Sequence, residues 1–295
     1  METPRTDAGG PGGLLLVDKP AGLTSHDVVA IVRRASGSKR VGHTGTLDPF
    51  ATGLLVVLVG RGTRLIPYIE GEPKVYEAVI RFGAETDTDD ATGQITSEAG
   101  QPTEDAIAEG IVSLTGEIDQ VPPAYSAKQV DGQRAYDAAR RGAALVLEPA
   151  RVTVHEWTLL GKRGDELTAR ITCGGGTYVR ALARDLGRLA RSAAHLAALR
   201  RTRNGPFVVE DAVTLDDLRG GHLPLRPLRS AIPSLPVQRL ESGERGRVAH
   251  GNAIPARADM PDSSRIALID DEETLIAVAE RSGDELRPVL VLCDA

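Results

Sequence analysis

Cysteine is nearly absent, with two in 295 residues, and Cys173 and Cys293 stand far apart with no Cys-x-x-Cys partner. That excludes a disulfide framework and a cysteine-based zinc site, and it fits a reducing cytoplasm. No run approaches the roughly 18 consecutive apolar residues of a membrane span, and Met1 to Gly13 lacks the apolar core of a signal peptide. Residues 1–12 are instead expected to be a disordered tail. No GxGxxG opens a helix and no GxxxxGK[ST] occurs, which sets aside dinucleotide and nucleoside triphosphate binding. The six histidines form no HExxH or paired spacing, so a zinc hydrolase has no support. Asp87, Asp89 and Glu98 fall at EF-hand positions, but Thr92 replaces the required glycine, and calcium is not expected.

The chain also lacks a basic excess. Its net charge of −6 argues against a polyanion partner until the distribution is read, because a local patch matters more to a polyanion than the total. Residues 70–120 hold thirteen acids and two bases. Residues 180–203 hold Arg180, Arg184, Arg188, Arg191, Arg200, Arg201 and Arg203 against Asp185 alone. A smaller basic group lies at Arg33, Arg34, Lys39 and Arg40. At about 100° per residue, a helix over Thr177–Ala190 puts Leu182, Leu186 and Leu189 on one face. Arg180, Arg184, Arg188 and Arg191 then form a stripe nearly opposite, to be read either as a solvated face or as a polyanion grip.

With 41% hydrophobic residues the chain can bury a full core. Gly13–Val17 reads as a strand turning at Asp18-Lys19-Pro20-Ala21-Gly22, followed by a helix capped at Thr24 or Ser25 and ended by Gly37. Leu54–Val59 is an unbroken apolar run, as for a strand covered on both faces. Lys74–Phe82 alternates, with Tyr76, Ala78, Ile80 and Phe82 on one face. Val152–Leu160 and Glu166–Cys173 are expected strands; Ile107–Leu114 and Ala135–Arg141 are expected helices. Prolines at 224, 227, 233 and 236 mark a boundary near residue 230. Beyond it Ile266–Ile269, Leu275–Ala279 and Val289–Leu292 suggest a small β-rich module. Strands with irregularly interspersed helices make the class α+β.

Gly42-His43-Thr44-Gly45-Thr46-Leu47-Asp48-Pro49, continuing to Gly53, is built to hold one carboxylate. The glycines permit positive φ or close backbone approach, and Pro49 biases Asp48 toward extended backbone. Taken alone, the segment fits an Asx turn as well as a nucleophile loop.

Six ordered segments extend that reading: GLLLVDKPAGLTSHDVV, RVGHTGTLDPFATGLL, KVYEAVIRFGAETDTDDATG, VPPAYSAKQVDGQRAYDAAR, GGGTYVRALARDLG and LRRTRNGPF. In that order, from about residue 13 to 210, they resemble the motifs of the bacterial TruB family, the tRNA pseudouridine-55 synthases. The resemblance implies a catalytic domain over 13–230 with a mostly antiparallel mixed sheet flanked by helices. It also implies a small PUA-like domain over 236–295, although that stretch is acidic and the likeness there is loose. The implied reaction isomerises uridine-55 of the tRNA T loop to pseudouridine with no metal or organic cofactor. Asp48 matches the family's catalytic aspartate, Arg180 its arginine partner and Tyr76 its active-site tyrosine. His43 matches the residue that fills the space of the flipped base, Tyr178 and Leu199 match the base pocket, and Lys19 matches a position that supports the loop or meets phosphate. The basic residues near 33–40 and 180–203 would grip the T arm, and a cytoplasmic monomer is expected. Gly174 and Gly175 depart from the family, which usually has a serine before Gly-Thr-Tyr.

Two other classes stand beside this one. A tRNA-binding or tRNA-folding protein would need the basic segments but not Asp48. A nucleosidase normally pairs two carboxylates, and the motifs offer no clear second acid.

Overall fold

A computed structural model describes residues 12–126, 129–130, 133–134, 147–262 and 264–293. The expected tail up to residue 11 and the expected helix over Ala135–Arg141 lie outside the described residues.

The chain begins with β1 (Gly13–Lys19), α1 (Ser25–Ser36), β2 (Val41–Thr44), β3 (Thr52–Val59) and β4 (Lys74–Phe82). A short hairpin, β5 (Ala84–Thr86) and β6 (Ile95–Glu98), precedes α2 (Glu104–Ser113) and β7 (Gly116–Gln120). Two-residue strands β8 (Gln129–Val130) and β9 (Gln133–Arg134) come next, then β10 (Ala150–Arg163), β11 (Glu166–Cys173), α3 (Val179–Leu189), β12 (Ala194–Asn204) and β13 (Phe207–Val208). The main sheet runs β1-β3-β12-β4-β11-β10-β7, with β2 added to β3 and β13 to β12. Its pairs are antiparallel except β12 on β3, so the protein is α+β with one large mixed sheet.

The patterns that identify these elements have visible causes. Thr24 caps α1 in a capping box with Asp27, and Gly37 ends it at φ 64°, a conformation that is cheap for glycine. Both faces of β1 and β3 are covered, which is why their runs are unbroken. Leu15, Val17, Leu55, Val57 and Val59 pack on Val28, Val29 and Val32 of α1. Leu14, Leu54, Val56 and Leu58 pack the other way, sharing a cluster with Ala267, Val278 and Leu290 of the C-terminal sheet. Burying each such side chain is worth about 1.5–3 kcal/mol. On β4 the expected alternation holds, with Tyr76, Ala78, Ile80 and Phe82 buried.

The sequence reading misses β12. Its arginines obscure a central strand that buries Ala194, Leu196 and Leu199. Arg201, 1% exposed, is tolerated there because its guanidinium spends its donors on backbone: Nε donates to Leu54 O (2.8 Å) and Nη2 to Gly45 O (2.9 Å). Where β3 and β12 run parallel, Gly53 has φ 100°, and a Cβ there would stand 2.2 Å from Arg201 O. Only glycine fits that approach.

Helix α4 (Leu215–Arg219) packs Leu215 and Leu218 against α1 and β1, and α5 (Glu244–Ala249) packs Val248 on a second, five-stranded sheet. Its strands are β14 (Val237–Arg239), β15 (Ile254–Pro255), β16 (Arg265–Ile269), β17 (Leu275–Ser282) and β18 (Glu285–Val291).

Candidate active site

The Asp48 loop joins β2 to β3 and is tied down by three buried side chains from elsewhere. Ser25, at the start of α1, donates its hydroxyl to Leu47 O (3.2 Å) and accepts from Leu47 N–H (3.0 Å). Arg201 holds Gly45 O from the sheet. Lys19 donates Nζ to Pro20 O (3.0 Å), Leu23 O (2.7 Å) and Pro49 O (3.3 Å), and Gly22 N–H donates to the same Pro49 carbonyl (2.8 Å). Lys19 is fully buried. Its ammonium is spent on backbone carbonyls of and around the Asp48 loop, the contacts that the loop-support role expected for it requires. Burial lowers its pKa to about 8, partly offset by the charge of Asp48.

Asp48 itself keeps one face open, its side chain 35% exposed. Arg180, on the first turn of α3 and 4% exposed, lies across it: Nη2 donates to Oδ1 (3.2 Å), while Nε, 2.9 Å from Oδ2, makes an ion contact without a hydrogen bond. The same guanidinium donates to Thr88 O (2.8 Å) and Tyr125 O (2.9 Å). Its Nη1 also stands 3.6 Å from Oδ2 of Asp90. Asp90, 4% exposed, accepts from Thr88 Oγ1 and Thr92 N–H, each at 2.9 Å. Partial burial pushes the Asp48 carboxyl above its ordinary value; Arg180 pulls it back, and Asp90 adds to the rise.

Asp90 is the second acid that the sequence reading does not single out. The signal was present in ETDTDDATG, whose threonines and glycine hold a carboxylate in a tight turn, but the segment reads first as a poor calcium loop. Asp89 beside it is committed to Arg184 (2.8 Å).

This pairing corrects the expected cationic stripe of α3. Arg180 meets Asp48 and Asp90, Arg184 meets Asp89, and Arg188 grips Glu85 through Nε (2.8 Å) and Nη2 (2.7 Å). Arg180 and Arg184 are buried against the acidic segment at 85–90, whereas the end of the stripe stays at the surface: Arg188, though paired with Glu85, keeps its side chain 57% exposed, and Arg191 is exposed. Arg200 is likewise paired, bidentate to Asp18 at 2.9 and 2.7 Å.

Tyr76 is buried in one cluster with Leu47, Ala51 and Leu199, directly opposite Arg201 across β4 and β12. Burial raises its phenol pKa while the Arg201 guanidinium opposes the rise, so the hydroxyl stays protonated at neutral pH. Leu199 is 8% exposed in that cluster, which includes Leu47, the residue before Asp48. Tyr178, half-buried, immediately precedes α3. Its N–H donates to Gln120 Oε1 (2.8 Å), and Gln120 Nε2 donates back to its carbonyl (3.2 Å). Gln120, 1% exposed, carries no sequence signal of this role. His43 stands half-buried on β2 with its ring edge-on to His26, centroids 5.9 Å apart. Burial, then His26 and Arg201, hold its pKa below the usual imidazole value, so it is neutral at pH 7. The structure thus gathers Asp48, Arg180, Tyr76 and Leu199, puts Lys19 underneath, and sets His43 on the strand leading into the loop.

The departure at Gly174-Gly175 has a local cause. The Glu72 carboxylate lies over both: a Cβ at 175 would meet Glu72 Oε1 at 2.2 Å, and one at 174 would meet Oε2 at 3.3 Å. A side chain at 175 would have to displace Glu72.

Among family models, the TruB family pseudouridylate synthase N-terminal domain matches residues 33–179, and the tRNA pseudouridylate synthase B C-terminal domain matches residues 180–229. A protein named tRNA pseudouridine synthase B from Thermobifida fusca (strain YX) is 48% identical over 290 residues, covering 95% of this chain and 98% of that protein. One of the same name from Leifsonia xyli subsp. xyli (strain CTCB07) is 44% identical over 288 residues, covering 94% and 95%. Among solved structures, a chain of the archaeal box H/ACA sRNP Nop10-Cbf5 complex aligns with a TM-score of 0.70 at 26% identity, covering 96% of this chain and 86% of that one. A Cbf5-Nop10-Gar1 complex gives a TM-score of 0.72 at 24% identity, covering 96% and 85%, a likeness of fold. Identity that high, sustained over nearly the full length of both sequences, makes this chain a member of the TruB family of pseudouridylate synthases.

Proposed function

We propose that this chain isomerises uridine-55 in the T loop of tRNA to pseudouridine, with Asp48 as its catalytic carboxylate and Arg180 and Tyr76 as its partners. The family is one of tRNA pseudouridine synthases, so the enzyme is an isomerase. The observation that carries the residue assignment is Asp48: one carboxylate partly open to solvent, clamped by a buried arginine, on a loop fixed at Gly45, Leu47 and Pro49.

The reaction moves one bond. The N1–C1′ glycosidic bond breaks, the uracil turns, and C5 joins C1′; the proton leaves C5, and N1 ends protonated. Atoms and electrons balance within the nucleotide. Asp48 must be ionised, whether it attacks C1′, attacks the ring or removes a ribose proton. Arg180 favours that ionised form and aims it, and a carboxylate displaced by 1 Å would cost roughly 100-fold in rate. The base must leave the stack, at a few kcal/mol. His43, neutral and flat, would occupy the vacated space. Tyr76, Tyr178 and Leu199 would receive the uracil, Tyr76 stacking on the ring with a protonated hydroxyl beside Arg201.

With Arg180 and Arg184 buried in ion pairs and Arg188 held by Glu85, the grip on the T arm falls to the exposed basic group Arg33, Arg34, Lys39 and Arg40 at the end of α1, together with exposed Arg191. The proposal divides the chain into a catalytic unit over 13–230 and a small PUA-like unit over 236–295, and it takes the enzyme to be a cytoplasmic monomer. Its test is to incubate T-arm RNA with the purified protein and map pseudouridine. Modification confined to position 55 supports the reading. Free uracil would make the chain a nucleosidase instead, and tight binding with no modification would leave a tRNA-binding protein.

A further inference from the structure

Two acids side by side in the 86–90 turn face two arginines one helical turn apart on α3. Arg180 takes Asp90 together with Asp48. Arg184, 7% exposed, donates Nη1 to Asp89 Oδ2 (2.8 Å), Nη2 to Val121 O (2.8 Å) and Nε to Asp185 Oδ1 (2.9 Å). Asp89 is also 7% exposed, and its carboxylate lies in the field of Arg180 as well as Arg184. The two arginines further pin one segment at both ends, Arg184 at Val121 O and Arg180 at Tyr125 O.

We propose that Arg184 is a positioning residue for pseudouridine formation: by holding Asp89 it keeps the Arg180 guanidinium committed to Asp48. The proposal rests on the assignment of Asp48 and Arg180 made above. Without Arg184, Asp89 would be a buried carboxylate with Arg180 as the remaining cation within its reach, and a buried unpaired charge is strongly disfavoured. Arg180 would then be divided among three carboxylates. Asp48 would lose part of the charge that keeps it ionised and aimed. Arg184 does not act by touching RNA, since it is buried and its Nε, Nη1 and Nη2 donate to Asp185, Asp89 and Val121 O. The charged groups facing Asp48 are Arg180, Asp90 and Lys19; those facing Asp89 are Arg184, Arg180 and Asp185.

The experiment is single-turnover pseudouridine formation on T-arm RNA across pH, with RNA affinity measured on the same preparations. Arg184→Met is expected to slow the step at least about tenfold, leave Kd within about twofold, and move the acid limb of the rate to higher pH. Adding Asp89→Asn removes the competing charge, and asparagine tolerates the φ of 59° at that position. The double variant is therefore expected to recover to within about threefold of wild type, with its acid limb restored. A double variant as slow as Arg184→Met or slower, or Arg184→Met within about twofold of wild type, overturns the proposal. If Arg184→Met does not fold, the double variant decides alone: recovery supports the proposal and loss of activity overturns it. Asp48→Asn run in parallel separates the two levels, since activity in that variant would sink the assignment of the carboxylate itself.

Discussion

Replacing Arg180 by lysine keeps the charge and removes the shape. The guanidinium donates to two backbone carbonyls, at 2.8 and 2.9 Å, while spanning Asp48 and Asp90. An ammonium is one point with three donors and cannot hold four acceptors set around a planar fork. Hydrogen bonds from a charged donor contribute about 1.5–3 kcal/mol each. Losing two and recovering part of one leaves a cost of about 2–4 kcal/mol. For a chain of 295 residues that lowers Tm by roughly 3–6 °C. The rate suffers more, because Asp48 is no longer aimed: at least about 100-fold for a displacement near 1 Å. The assays are thermal melting and single-turnover pseudouridine formation on a T-arm transcript. A rate within about threefold of wild type would refute the reasoning and reduce Arg180 to a structural tie.

Burial raises the Asp48 pKa, so the ionised fraction is lost as pH falls through a value above the ordinary carboxylate range; the acid limb of the single-turnover rate should lie there, and a limb at or below the ordinary value would contradict it. Lys19 has a folded pKa lowered to about 8 from 10.5. Between those values the unfolded chain binds the extra proton, so this group adds stability as pH rises, and the Tm of wild type relative to Lys19→Met should climb across that window. Because Arg188 is held by Glu85, Arg188→Ala should leave the salt dependence of RNA binding unchanged, whereas Arg34→Ala and Arg40→Ala should each reduce the log–log slope by about 1.

Much of this enzyme is legible in its sequence, and the gaps have physical reasons. Periodicity found α1 and β4, which repeat on one face, unbroken apolar runs found β1 and β3, which are covered on both, and a Gly-Lys-Arg-Gly-Asp turn between two strand-like runs found β10 and β11. Periodicity failed at β12, where Arg200, Arg201 and Arg203 mimic a surface segment; nothing local says that Arg201 will find the carbonyls of Leu54 and Gly45. The Asp48 loop was recognisable from its glycines and Pro49, yet its anchor Ser25 read only as a helix cap, and loop support by Lys19 came from the family resemblance rather than from any local pattern. The stripe on α3 was placed correctly on one face, but what that face meets depends on where the 85–90 segment folds back. Asp90 stayed hidden for the same reason. Clusters of like charge are readable in one dimension, and their neutralisation is not.

Asp48→Asn tests the central claim most directly. The substitution keeps the side chain's shape and removes its charge, and because burial raises the Asp48 pKa, the ionised form costs the folded state relative to the neutral one at pH 7. The account therefore predicts a variant with a Tm no lower than wild type and unchanged RNA affinity, yet no pseudouridine at position 55 under single turnover. Substantial pseudouridine formation by that folded variant would contradict it.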